Sequence, residues 1–284
     1  MTLVATNLTK TFISGHGSDR VHKLAVDNVS IKVDPGDFVA VVGESGSGKS
    51  TSARMMLDLI RPDSGTVALD GADVASMSRA DKKRFRSTVQ AIFQDPSGSL
   101  NPRKRIRTIL GEVIRFYGLA STAQDVERTA LKSLELVGLD PPETYMERFP
   151  HELSGGQRQR VLIARSMIPD PKIIIADEAV SALDVSVKAG VLRLMEDLRR
   201  DKGVGYLLIT HDLPVVRKVA SYVYVMRNGA VVEEGPTERI FLQPQAEYTR
   251  NLLGAGLDLD TVLAHRRQTA DYGGTVSTSE TREF

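Results

Sequence analysis

The chain has 284 residues, 41% hydrophobic, 26% charged and 5% aromatic, enough for one large core or a core with subdomains. Lys and Arg number 37 against 36 Asp and Glu, so there is no basic surplus to recruit nucleic acid, and none is expected as a partner. The absence of cysteine excludes disulfides, cysteine zinc sites, iron–sulfur clusters and a thiol nucleophile.

The opening residues Met1–Phe12 lack a basic start followed by an apolar run, and no leader peptide is expected. Leu3–Thr9 and Val26–Val33 alternate apolar and polar residues, the pattern of a half-exposed antiparallel sheet. Phe38–Val42 is a continuous apolar run, as in a strand buried on both faces, and a helical pattern follows from Lys49 to about Ile60. Val89–Phe93 reads as another strand. From about Ile106 to Leu153 the pattern is helical throughout, broken at Pro141-Pro142 and Pro150. Lys172–Asp177 and Tyr206–Thr210 are two further buried strands, each followed by a helical stretch, Val185–Arg200 and Asp212–Val219. Val223–Met226 and Ala230–Glu233, joined by Arg227-Asn228-Gly229, form a hairpin pattern. After Pro236 a helical extension runs to about Leu259. Arg266–Phe284, rich in Thr, Ser and Gly, is expected to be loosely held.

This alternation predicts an α/β fold with a mostly parallel sheet, an N-terminal antiparallel β-subdomain and an inserted helical subdomain. No internal repeat is found. The longest apolar runs fall far short of a membrane span, so work at a membrane would require other chains to hold the protein there.

Gly43-Glu44-Ser45-Gly46-Ser47-Gly48-Lys49-Ser50 matches the phosphate-loop pattern G-x-x-x-x-G-K-[ST], after a buried strand and opening a helix that continues with Thr51. Glycines let backbone N–H groups approach phosphate oxygens, and the helix N-terminus faces them with its positive end. Lys49 has the reach for β- and γ-phosphates, and the Ser50 hydroxyl can ligate Mg²⁺. Asp177 and Glu178 end a buried strand. The first can hold Mg²⁺, directly or through water, and the second can orient or deprotonate an attacking water. ATP and Mg²⁺ are therefore the expected ligands.

Many ATPases share those two features. Leu153-Ser154-Gly155-Gly156-Gln157, upstream of Asp177, narrows the choice, because it resembles the signature of ATP-binding-cassette (ABC) ATPases. The resemblance covers roughly residues 1–235 and implies a P-loop NTPase (RecA-like) core. It implies further roles, in order along the chain. Phe12 would stack on adenine, although an aromatic near a strand end is otherwise commonly a core residue. Gln94 would sense Mg²⁺ and the water, as the family's Q-loop glutamine does. Ser181-Ala182-Leu183-Asp184 resembles the D-loop, with Asp184 contacting the opposite site. His211 would be the switch histidine, bonded to the γ-phosphate and holding the water and Glu178 in place. In the family two such subunits face head to tail, and each ATP lies between the phosphate loop of one and the signature of the other. Ser154, Gly155, Gly156 and Gln157 offer a hydroxyl and N–H groups at a helix N-terminus for that purpose.

The extended Q-loop Phe93–Arg103, the run Asp177–Ser186 and Pro244–Arg250 resemble the oligopeptide, dipeptide and nickel importer branch. Pro244–Arg250 departs from the branch element P-x-H-P-Y-T-[RK], since Ala246 and Glu247 replace His-Pro. Ala179 stands where proline is common, and Gly98 where serine is more typical. The resemblance implies a peripheral protein on the cytoplasmic face of the membrane. It would pair with a second ATPase subunit, either a different chain or a second copy, sit beneath two transmembrane permease subunits and be served indirectly by an extracytoplasmic solute-binding protein. It would power uptake of peptides or related small solutes. The expected division is residues 1–95 plus 165–235 for the core and antiparallel β-subdomain, 96–164 for the helical subdomain with the signature, and 236–284 for a C-terminal extension. The basic run Arg103-Lys104-Arg105-Ile106-Arg107 reads either as an aid to permease docking or as a solvated charged loop. Other cassette roles fit less well. A soluble cassette ATPase of translation-factor or iron–sulfur-assembly type is one alternative, although translation factors usually carry two cassettes in one chain; chromosome and DNA-repair ATPases split the cassette with long coiled coils, and the extended Q-loop and C-terminal extension argue against an exporter or lipoprotein-release motor.

Overall fold

The computed structural model describes residues 1–14, 20–93, 99–181 and 183–254. Its centre is a six-stranded sheet of order β10-β9-β3-β8-β7-β6, built from β3 (Phe38–Val42), β6 (Val89–Ile92), β7 (Ile173–Asp177), β8 (Gly205–Ile209), β9 (Tyr222–Arg227) and β10 (Ala230–Pro236). The strands β9, β3, β8, β7 and β6 run parallel, and β10 closes the edge antiparallel. The apolar runs are continuous because both faces of the sheet are covered, and β3, β7 and β8 are buried at every position.

The period-two alternation of the strands sorts their residues between two cores. Phe38, Ile174, Ala176, Tyr206 and Leu208 face the helical side. It comprises α3 (Ile106–Tyr117), α4 (Ala123–Leu136), α5 (Pro142–Met146), α6 (Gly155–Met167) and α7 (Val185–Lys202). Val39, Val41, Ile173, Ile175, Leu207 and Ile209 face the opposite side. That side is covered by α1 (Lys49–Met56), α2 (Arg79–Thr88) and a four-stranded antiparallel sheet of order β2-β1-β4-β5. Its strands are β1 (Leu3–Ser14), β2 (Val21–Val33), β4 (Ser64–Leu69) and β5 (Ala72–Asp73). A third cluster joins Ala40, Val42, Val223 and Val225 to α8 (Leu213–Val219), α9 (Thr237–Leu242) and the helical residues 247–254.

Several bounds differ from the sequence expectation. The strands β1 and β2 run beyond Thr9 and start before Val26, because pairing continues through Ser14↔Val21 past three register shifts. Helix α1 stops at Met56 rather than Ile60, since Asp58 adopts φ 56° and the chain turns back with Leu59 N–H donating to the Arg54 carbonyl. The hairpin reaches Tyr222 and Pro236, and its turn fits two residues with positive φ, Asn228 and Gly229. The structure adds β4, β5 and α2, which the sequence pattern did not single out. Helix α6 continues to Met167, across the division expected at residue 164. The expectations for Gln94 and for the tail beyond 254 fall outside the described residues.

Leu110 is fully buried in the helical core. Leu110→Ala should cost about 2–5 kcal/mol of stability, read from urea unfolding followed by circular dichroism.

Candidate active site

The phosphate loop begins where β3 ends. Gly43, Gly46 and Gly48 take φ 146°, 81° and 103°. Two of them also lack room for a side chain. A Cβ at Gly43 would lie 2.1 Å from the Met226 carbonyl oxygen, and one at Gly48 2.4 Å from the Ala25 carbonyl oxygen. Glycine is therefore required both for conformation and for close approach to β9 and β2. The Gly229 N–H donates to the Ser47 carbonyl at 3.0 Å and fixes the loop from the hairpin side. Gly48 is the N-cap of α1 and supplies no side-chain cap, so first-turn N–H groups remain available to an anion. Glu44, Ser45 and Gly46 are exposed, and Thr51 is half-buried in that first turn.

Lys49 is buried and folded onto its own loop. Its ammonium donates to the Gly43 carbonyl at 2.8 Å, the Glu44 carbonyl at 2.7 Å and Ser47 Oγ at 3.3 Å. Burial pushes its pKa down, against the opposing charges of Glu178, Asp177 and Glu44. Ser50 Oγ donates to Asp177 Oδ1 at 2.9 Å. Asp177 is the last residue of β7 and is buried. Burial pushes its carboxyl above the usual range, in opposition to the Ser50 hydrogen bond and to the Arg54 and Lys49 charges. A hydroxyl and a buried carboxylate within hydrogen-bond distance form a hard-oxygen pair that fits Mg²⁺.

Glu178 makes the turn out of β7 with φ 49°, left-handed for a residue with a side chain. Such backbone costs roughly 1–3 kcal/mol and persists where its surroundings hold it. Here its N–H donates to the Ile209 carbonyl at 2.9 Å, and its carbonyl accepts from the Ser181 N–H at 3.2 Å and hydroxyl at 2.9 Å. His211 Nδ1 lies 3.3 Å from Glu178 Oε1. Asp212, beside it, caps α8 and accepts Lys188 Nζ of α7 at 2.5 Å. Parallel strand ends thus bring Gly43–Ser50, Asp177, Glu178 and His211 to one edge of the sheet. This arrangement can cradle phosphates, hold a divalent cation and present a carboxylate paired with an imidazole.

The other expected residues stand apart. Phe12 is 41% exposed on β1, with Lys10 Nζ 5.9 Å from its ring centroid, so it is a surface aromatic and not a core residue. Ser154 is the N-cap of α6. Its Oγ accepts the Gln157 N–H at 3.2 Å, and Gln157 Oε1 accepts the Ser154 N–H at 3.0 Å, a reciprocal capping box. Gly155 opens the helix. Gly156 is buried, with no room for a Cβ, which would lie 2.3 Å from Val187 Cγ1. Asp184 is the exposed N-cap of α7, without a side-chain cap bond. Among the described residues no hydrogen bond links residues 154–157 or Asp184 to the phosphate loop. The basic run is tied internally: Lys104 pairs with Glu112 at 2.5 Å, and Arg105 and Arg107 pair with Glu147 at 3.0 and 2.7 Å. Lys188, Met226 and Tyr248 touch the site's supports and were not foreseen. The Asn-Gly turn was the signal closest to Met226.

A glycine loop between a central parallel strand and a helix, with an acidic pair at the exit of the parallel strand one place beyond its neighbour, defines a phosphate-loop NTPase core. The ABC transporter family model matches residues 26–181. The glutathione import ATP-binding protein GsiA of Escherichia coli (strain K12) is 46% identical over 231 residues, 81% of this chain and 37% of that protein. Its counterpart from Salmonella typhi is 45% identical over the same coverage. The chain thus matches 37% of the length of these relatives. Among solved structures, the dimeric structure of MJ0796, a bacterial ABC transporter cassette, is 28% identical with a TM-score of 0.72, covering 83% of this chain and 98% of that one. A post-hydrolysis dimer of MJ0796 bound to ADP and Pi gives 29% and 0.71, with the same coverage. The chain belongs to the ABC transporter family, with the α/β fold of its ATP-binding cassettes.

Gly156→Ala should destabilise the protein by about 1–3 kcal/mol through overpacking against Val187. The double variant Gly156→Ala/Val187→Ala should recover most of that loss. Thermal unfolding of the two variants checks both.

Proposed function

We propose that the chain is the ATP-hydrolysing subunit of an ABC importer, powering uptake of peptides or related small solutes at the cytoplasmic face of the membrane. The observation that carries this reading is the convergence of Lys49, Ser50, Asp177, Glu178 and His211 beside the phosphate loop. ATP binds with its phosphates against the loop N–H groups and the N-terminus of α1. Lys49 leaves the Gly43 and Glu44 carbonyls for the β- and γ-phosphates. Ser50 and Asp177, with Gln94, would hold Mg²⁺, which would supply positive charge to the phosphate oxygens. Glu178 takes a proton from the water as its oxygen bonds to the γ-phosphorus. The bond from that phosphorus to the bridging oxygen breaks, and ADP and phosphate are released. His211 orients Glu178 and hydrogen-bonds the γ-phosphate. Phe12 stacks on adenine, consistent with its exposure.

The separation of residues 154–157 from the phosphate loop supports a head-to-tail pair. A second ATPase subunit would supply its signature to this site and receive Ser154, Gly155, Gly156, Gln157 and Asp184 at its own. The MJ0796 cassettes, described as dimeric, support the pairing. A groove of about 600 Å³ between β6 and α3 supports docking of the permease subunits. It is lined by Leu59, Phe93, Ile109, Val113, Phe116 and Leu162, with Leu59 and Phe116 largely exposed. Among the described residues no helix is long and apolar enough to cross a membrane, in keeping with peripheral attachment through those partners. The division into core, helical subdomain and C-terminal extension belongs to the same proposal. The relatives named for glutathione import support a peptide-like cargo.

Glu178→Gln should keep ATP affinity while lowering turnover by about 100-fold or more, and should accumulate a closed dimer in ATP. Phosphate release and gel filtration measure the two effects, and turnover at the unmodified rate would remove Glu178 as the base. Lys49→Ala should lose binding itself, and normal ATP affinity in that variant would contradict the assigned role.

A further inference from the structure

Residues 244–254 carry no role in the reading above, yet they end on the phosphate loop. Tyr248 is buried among Val42, Val225, Leu213 and Leu253. Its hydroxyl accepts the Glu44 N–H at 3.2 Å. The ring is held from outside by Arg227, whose guanidinium lies 4.8 Å from the ring centroid. The segment is anchored to β10 as well. The Glu233 carboxylate accepts the Gln245 N–H at 2.8 Å and the Ala246 N–H at 3.0 Å.

The peptide plane that Tyr248 touches is the one Lys49 holds from the other side. The Gly43 carbonyl accepts Lys49 Nζ, and the Glu44 N–H of the same peptide donates to Tyr248. A cation on the carbonyl polarises the peptide and strengthens its N–H donation. Once Lys49 engages a phosphate, that carbonyl loses its ammonium. The Tyr248 hydroxyl still holds the Glu44 N–H, while the Gly229 N–H on the Ser47 carbonyl and the Ser47 N–H on the Glu44 carbonyl hold the rest of the arm.

We propose that Tyr248 is a positioning residue of the nucleotide site: its hydroxyl holds the Gly43–Glu44 peptide while Lys49 serves the phosphates, so that the C-terminal segment sets nucleotide affinity. The proposal rests on the nucleotide-site reading above. Loss of one hydrogen bond predicts about a three- to tenfold weaker affinity.

The test uses the full chain, titrated calorimetrically with Mg²⁺ and a hydrolysis-resistant ATP analogue, together with steady-state ATPase rates and melting curves. Tyr248→Phe keeps the ring and its Arg227 contact. It should raise Kd and KM about three- to tenfold, with kcat and melting temperature little changed. Thr249→Val alters the next residue, fully buried in the same turn, and should leave Kd unchanged. Wild-type affinity in Tyr248→Phe overturns the proposal, and so does an equal loss in Thr249→Val, which would assign the effect to packing of the segment. Lys49→Ala separates the two readings. If wild type binds and Lys49→Ala does not, a normal Tyr248→Phe sinks only the role of Tyr248. If wild type does not bind nucleotide, the site assignment and the proposal fall together.

Discussion

Parallel pairing of β3, β8 and β7 forces their C-terminal ends onto one edge of the sheet, and the site exists because of that constraint. The phosphate loop leaves β3, the acidic pair leaves β7, and His211 follows β8, which lies between them. Ser50 on one side of the gap and Asp177 on the other are close enough to share a hydrogen bond across the end of β8. The cross-links Glu178 N–H to Ile209 and Thr210 N–H to Val41 lock the exits in register. The burial of these strands on both faces makes the edge rigid enough to hold such geometry.

Two carboxylates and one ammonium share a partly buried space, and the ammonium is satisfied by loop carbonyls. An incoming phosphate competes with those carbonyls for Lys49 and adds negative charge beside Asp177 and Glu178. A divalent cation at the Ser50–Asp177 pair would offset that charge, so anion and cation would be favoured together rather than singly.

The central strands were legible because burial on both faces writes an uninterrupted apolar run into the sequence, as at Phe38–Val42 and Lys172–Asp177. The glycine loop was legible because its spacing is demanded by the backbone: Gly43 and Gly48 face carbonyl oxygens where no Cβ fits. Less visible were features decided by tertiary partners. The ends of β1 and β2 expose Phe12, Ile13, Val21 and Leu24, so burial leaves no alternation there to read. The end of α1 depends on Asp58 entering a left-handed turn, which its residue type permits but does not announce. The basic run at Arg103–Arg107 was ambiguous because its partner Glu147 lies on another element, after α5. Tyr248 stood inside a recognised element, but its contact with Glu44 spans most of the chain and leaves no local trace.

Gly156 touches Val187 so closely that the start of α6 and the first turn of α7 have no slack between them. From α7, Lys188 reaches Asp212, next to His211. Residues 154–157 are thus packed directly on α7. Their surface is one end of a stiff lever whose other end rests beside the imidazole. A push on the outward end of α6 reaches the carboxylate–imidazole pair through two contacts, without any intervening loop having to refold. In the head-to-tail pair proposed above, the same contacts would link the surface facing one nucleotide to the carboxylate–imidazole pair facing the other.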